Sequence, residues 1–218
     1  MRASGLLTTL KSHPCAVLLG GQLAAILLFP FLDTSPLGRG ALGVVSMFLV
    51  AAAIWAVRFS PALAWVAALF GLPAMAFTMA EAVAPHVGWI VLVSALLHTP
   101  FYLYVSFAMV RYLYEDEHVT RDELFAVGAA FTVVAWGFAY VFSASQVLWP
   151  GSFVSPSGDT QSWFELLFLS FTNLTGVGLS DITPATDHAR SVITVQQVIG
   201  VLYLALVVAR LVGLTSRR

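Results

Sequence analysis

Residues Trp163 to Pro184 read WFELLFLSFTNLTGVGLSDITP, and the fold turns on how that stretch is read. An apolar run breaks off in Thr175-Gly176-Val177-Gly178-Leu179-Ser180-Asp181, and another begins near Ala189. The first run is about twelve residues, roughly 18 Å of helix, which is too short for a hydrocarbon core of roughly 30 Å. It is therefore expected to enter the membrane and return as non-helical backbone. Such backbone survives at that depth only where protein buries it or where it lines a watery path. Ser162-Trp163-Phe164-Glu165 forms an S-x-x-E capping box at the start of the run. The far end, near Leu174, then directs partial negative charge towards the middle of the membrane, a favourable field for a cation. Gly178 can take a positive φ without a Cβ penalty. Spacing alone equally fits a plain helix–turn–helix corner, and leaves both readings open.

The residue identities favour the first reading. LTGVGLSDITP resembles the potassium-channel pore signature LTTVGYGDITP through Leu174, Thr175, Val177, Gly178, Asp181, Ile182, Thr183 and Pro184. The following TPATDHARSVITVQQVIGVLYLALVVARLVGL is similar to the inner helix of bacterial members of that superfamily. The resemblance is specific from about Val119 to Leu214 and weak before it. It implies a fourfold homotetramer, because one chain supplies one filter segment and a ring of carbonyl ligands needs several. It places the filter at Thr175, Gly176, Val177, Gly178, Leu179 and Ser180, with the carbonyls of Gly176, Val177, Gly178 and Leu179 as ligands for transported K+, and with Na+ as a second candidate ion. Asp181 falls at the outer mouth, where four carboxylates would concentrate cations by several kT; a hydrogen-bonded strut is its other reading.

Three filter positions depart from the signature. Gly176 stands where Thr is usual and removes a ring of hydroxyls. Leu179 replaces Tyr and cannot donate the bracing phenolic hydrogen bond. Ser180 replaces a second Gly and carries a Cβ penalty if its φ must be positive. Together they point to a cation pore of reduced selectivity. Gly200, nineteen residues beyond Asp181, matches the gating hinge of the family's inner helix. Its cost in helix propensity is up to about 1 kcal/mol, which either a bend or close helix packing would explain. Val201, Ala205, Ala209 and Gly213 form a small-residue stripe that lines an inner cavity or lets helices approach.

The whole chain agrees with a membrane setting. Of its 218 residues 59% are hydrophobic and 10% charged, and mean hydropathy is +0.89, values foreign to a soluble domain. A net charge of −1 gives no reason to expect nucleic acid, and the lone Cys15 excludes an intrachain disulfide and a Cys-based zinc cluster. No cofactor is expected. Arg2 and Lys11 precede an apolar run as in a signal peptide, but no small-residue cleavage site follows, so the run is kept as a helix.

Apolar windows lie at about Cys15–Phe31, Ala41–Val57, Ala62–Met79, Gly88–Val110, Leu124–Ala144 and Ala189–Gly213. The expectation is an all-α membrane protein of about six spans, with the re-entrant segment between the last two. The second and third windows are barely separated, and whether both cross is open. Residues 1–118 form a membrane domain of about four helices, and residues 119–218 the pore domain. With a cytoplasmic N-terminus, Arg2, Lys11, Arg58, Arg111, Arg121, Arg210, Arg217 and Arg218 lie inside, and only Arg39 and Arg190 outside. That positive-inside bias puts both termini in the cytoplasm, the re-entrant loop outside, and the protein in the cell membrane. The fourth window holds one Arg, Arg111, and therefore no voltage-sensing ladder. Arg218 closes the sequence just past the last window, so no sensing domain is expected there.

Smaller features complete the reading. His98, mid-window beside Pro100, is expected to be neutral and hydrogen-bonded within the bundle. Glu115-Asp116-Glu117-His118 with Asp122 and Glu123 reads as a solvated linker, and Gln146 to Thr160 as an extracellular turret. Asn173-Leu174-Thr175 matches a glycosylation acceptor but would be buried. Against the channel readings, potassium-selective or non-selective for monovalent cations, stands an intramembrane aspartyl-type protease, faintly suggested by Gly178-Leu179-Ser180-Asp181. That chemistry needs two facing Asp, and no other Asp lies within a window. No H-E-x-x-H occurs, and the single interrupted helix disfavours a two-repeat transporter.

Overall fold

A computed structural model describes residues 14–33, 35–56, 61–84, 86–112, 121–158 and 160–215. Among them are helices α1 (Pro14–Leu32), α2 (Pro36–Ala56), α3 (Pro61–Val83), α4 (Gly88–Tyr112), α5 (Arg121–Leu148), α6 (Trp163–Leu174) and α7 (Asp187–Thr215). Five of them, α1, α3, α4, α5 and α7, are long and apolar enough to cross a membrane, whereas α2 offers a shorter apolar stretch, Pro36–Leu49. Among the described residues, five helices thus match the expected six spans in length and composition. Helix α6 has twelve residues, as its apolar run implied.

Helix α5 is the axis of the fold. Ala126, Ala129, Ala130, Val133, Ala135, Trp136, Ala139 and Phe142 along it are all buried. Its small residues permit close helix contacts: a Cβ on Gly128 would meet Leu19 of α1, and one on Gly137 would meet Tyr102 and Leu103 of α4. Helices α1 and α4 pack on α5, as do α6 and α7. One core therefore joins Leu18, Met47, Phe101, Tyr102 and Val105 of the first four helices to Trp136, Tyr140, Leu167 and Tyr203 of the last three. The parts divided at residue 118 share their interior. A second core, with Phe138, Phe142, Phe153, Leu166, Leu174, Ile182 and Ile193, lies under the re-entrant segment.

Two sequence expectations change here. Asp122, read as part of a solvated linker, accepts a hydrogen bond from the Cys15 amide at 3.1 Å. It satisfies an open N–H in the first turn of α1, as an N-cap residue would, and so ties α5 to α1 across the fold. The acidic run Glu115–His118 itself lies outside the described residues, as do Arg2, Lys11, Arg58, Arg217 and Arg218. The turret, in turn, is more than loop. Phe153 and Val154 pair antiparallel with Pro184 and Thr183, and the Ala185 amide bonds the Ser152 carbonyl at 2.9 Å. Trp149 stacks on His188 with 4.1 Å between ring centroids. These contacts clamp the chain leading into α7 to the end of α5.

His98 meets its expectation. It is fully buried, with Nδ1 2.8 Å from the Ser94 carbonyl and Nε2 3.0 Å from Thr78 Oγ1, and it stacks on Tyr140 at 4.1 Å. Asn173 is also buried, its amide donating to the Leu169 carbonyl, which agrees with discarding it as a glycosylation acceptor.

Candidate functional site

The site begins at the capping box. Ser162 has extended backbone (φ −68°, ψ 160°); its Oγ accepts from the Glu165 amide at 3.3 Å, and Glu165 Oε2 accepts from the Ser162 amide at 2.7 Å. Two of the four open N–H groups of this region are thereby satisfied locally. Buried Leu166, Leu167, Leu169 and Leu174 anchor α6 in the protein. Two polar residues fix its rotation, and sequence reading passed over both. Ser170 Oγ donates to the Ala135 carbonyl of α5 at 2.7 Å, while Gln196 Nε2 of α7 bonds Ser170 Oγ at 2.6 Å and its carbonyl at 3.1 Å. Ser170 and Gln196 are both fully buried. The available signal was Gln196-Gln197 in the middle of an apolar helix, since an uncharged amide at that depth requires a partner.

Helix α6 ends by a turn the sequence only half disclosed. Gly178 has φ +65° as expected, but Gly176 is also left-handed, at φ +74°. The Gly176 amide bonds the Asn173 carbonyl at 3.1 Å and the Gly178 amide bonds the Thr172 carbonyl at 3.0 Å. Gly176 therefore occupies the C′ position of a left-handed helix cap. A side chain there would have to adopt a conformation that costs roughly 1–2 kcal/mol. Thr175 Oγ1 donates to the Phe171 carbonyl at 2.8 Å, so the hydroxyl turns back on the helix.

The segment that follows has little cover. Thr175, Gly176, Val177, Gly178, Leu179 and Asp181 are exposed in the protomer, Val177 at 68% and Leu179 at 72%. The Gly178 carbonyl accepts from the Ser180 amide at 3.1 Å. Ser180, expected to strain this turn, also supports it: its Oγ accepts from the Ile182 amide at 3.1 Å, a bond that glycine could not make. Asp181 has no hydrogen-bond partner among the described residues of its own protomer.

Gly200 sits directly behind the cap. A Cβ built on it collides with the Leu174 carbonyl oxygen and closely approaches the carbonyl carbon and Cα. Close passage of α7 over the end of α6 is therefore sufficient reason for this glycine. Val201, Ala205 and Ala209 of the small-residue stripe are exposed, together with Val198, Leu202, Leu206 and Val208. The surroundings of Gly213 lie outside the described residues. Residues 175–181 and this face of α7 are thus both left open by the single chain.

Residues 128–217 match a family model described as "Ion channel". The match starts within α5 and spans α6, the segment that follows it and α7. Over these residues, short of half the chain, the protein is similar to ion channels. The apolar helices with it make this a multi-pass membrane protein. Neither the curated proteins nor the solved structures gave a match.

Proposed function

We propose that the chain is one of four identical subunits of a potassium-type channel, passing monovalent cations through carbonyl rings at Gly176, Val177, Gly178 and Leu179. The observation that carries this reading is the combination of a twelve-residue capped helix with an exposed, doubly glycine-turned segment at its C-terminal end. An apolar Val177 and Leu179 at 68% and 72% exposure are costly in water but suited to contact with neighbouring copies. The open face of α7 around Val201, Ala205 and Ala209 fits the wall of a shared inner cavity. Asp181 then crowns the outer mouth, with the turret outside and both termini in the cytoplasm of the cell. Gly200 retains a hinge role only in addition to its packing role. Residues 1–118 act as a surrounding membrane domain, and the single Arg111 at the end of α4 supports weak voltage dependence.

Reduced selectivity is favoured by specific features. Thr175 spends its hydroxyl on the helix, Gly176 has none, Leu179 has no bracing bond, and the Gly178 carbonyl already accepts one hydrogen bond. The test is reconstitution in liposomes, with potassium and sodium fluxes measured under identical gradients. Potassium flux exceeding a measurable sodium flux is expected. No flux of either ion from a crosslinked tetramer would refute the channel reading.

A further inference from the structure

The first four helices, which carry no chemistry legible in the sequence, line a half-open cavity of about 100 Å³ against the start of α6. Its wall includes Phe29, Tyr102, Trp136, Tyr140, Trp163 and Phe164, and these rings form one continuous run. Phe164 stacks on Phe29 at 4.3 Å between centroids, and Phe29 meets Trp163 at 5.8 Å. Trp163 meets Tyr140 at 5.4 Å, and Tyr102 lies 5.8 Å from both Tyr140 and Trp136. Trp136 Nε1 is buried and finds no acceptor among the described residues.

Two charged residues share the wall, Glu81 and Arg39. Arg39 is spoken for: Nη1 donates to the Asp33 carbonyl at 2.9 Å, Nη2 to the Ala82 carbonyl at 3.2 Å, and Nε lies 3.9 Å from the Asp33 carboxylate. Its charge is balanced and its fork directed at the helix ends. Glu81, half-buried, is the other. It has no ion-pair partner among the described residues. A carboxylate beside a run of aromatic rings suits a weakly hydrated cation, which ring quadrupoles attract and which loses little on leaving water. A small inorganic cation, which requires several oxygens, is poorly served there.

We infer that this cavity binds a small organic ammonium ion, with the rings around its alkyl groups and Glu81 as its counter-ion. Two sources carry that chemistry, a free solute and the headgroup of a choline or ethanolamine phospholipid. Because Trp163, Phe164 and Leu167 of α6 line the same space, an occupant would bear on the helix that carries the filter segment.

The test measures binding rather than conduction, so it stands or falls independently of the channel reading. The full chain in phosphatidylglycerol nanodiscs, which offer no ammonium group, is titrated with choline by calorimetry in excess potassium chloride. The neutral isostere 3,3-dimethylbutan-1-ol is titrated in parallel. Saturable choline binding is expected, with no binding of the isostere and a tenfold or greater loss in Glu81→Gln. Phe29→Leu, which removes a ring and no charge, should weaken binding several-fold and covers the case in which Glu81→Gln does not fold. In phosphatidylcholine discs, loss of choline binding assigns the site to lipid headgroups, and unchanged binding assigns it to a free solute; both support the site. Absence of choline binding to the unaltered chain overturns the inference. So does equal binding of the isostere, or unchanged binding in both variants.

Discussion

Gly200→Ala is expected to destabilise the protein even though alanine is the better helix former. In an unobstructed helix the change gains about 1 kcal/mol. Opposing it, the new Cβ meets backbone atoms of Leu174, including the carbonyl oxygen, rather than a flexible side chain. Those atoms cannot rotate aside, because the Gly176 and Gly178 amides pin the end of α6 to Asn173 and Thr172. Overpacking costs about 1–3 kcal/mol, and a backbone obstacle belongs at the top of that range, so the net loss should be about 2 kcal/mol. The resulting displacement falls on the residue immediately before the filter segment, so ion flux should drop in parallel. Gly20→Ala in α1 is the control, since nothing lies within 4 Å of its Cβ position; it should stabilise by up to about 1 kcal/mol. Both variants are unfolded by denaturant in one detergent, with tryptophan fluorescence as the readout. If Gly200→Ala gains stability as Gly20→Ala does, the packing account is refuted, and a bend in α7 becomes the better reason for the glycine.

Other changes test the elements around the site. Ser162→Ala removes half of the reciprocal cap and should cost about 1 kcal/mol, read as a lowered unfolding midpoint; no change would mean the cap is redundant. Ser170→Ala withdraws both the donor to Ala135 and an acceptor for Gln196 Nε2. Its cost should be about 1–3 kcal/mol by the same measurement, partly recovered when Gln196→Leu is added. The triple variant Gly176→Thr, Leu179→Tyr, Ser180→Gly should raise the potassium-to-sodium permeability ratio measured from reversal potentials, each tenfold being about 1.4 kcal/mol. Gly176→Thr alone should be poorly stable, because it places a β-branched residue at a φ of +74°. If the unaltered protein already excludes sodium as strongly as the triple variant, carbonyl geometry alone sets its selectivity.

What the sequence by itself determined is what local interactions determine. The capping box, the length of α6, the left-handed Gly178 and the positions of the apolar helices depend on residues a few places apart, and all were legible. Even Gly176 could have been read locally, as the glycine one position past a helix end. Tertiary structure alone decided the rest. The Gly200 environment is set by a carbonyl 26 residues earlier in the chain, Asp122 reaches Cys15 across 107 residues, and Ser170 reaches Ala135 across 35. The aromatic cavity collects residues from six helices, each of which reads in isolation as an ordinary apolar helix. Inside a membrane most positions on a helix are apolar whichever way they face, so periodicity cannot mark which side meets protein. Only the packing of the helices identifies the few polar groups that need partners and the glycines that another backbone must pass.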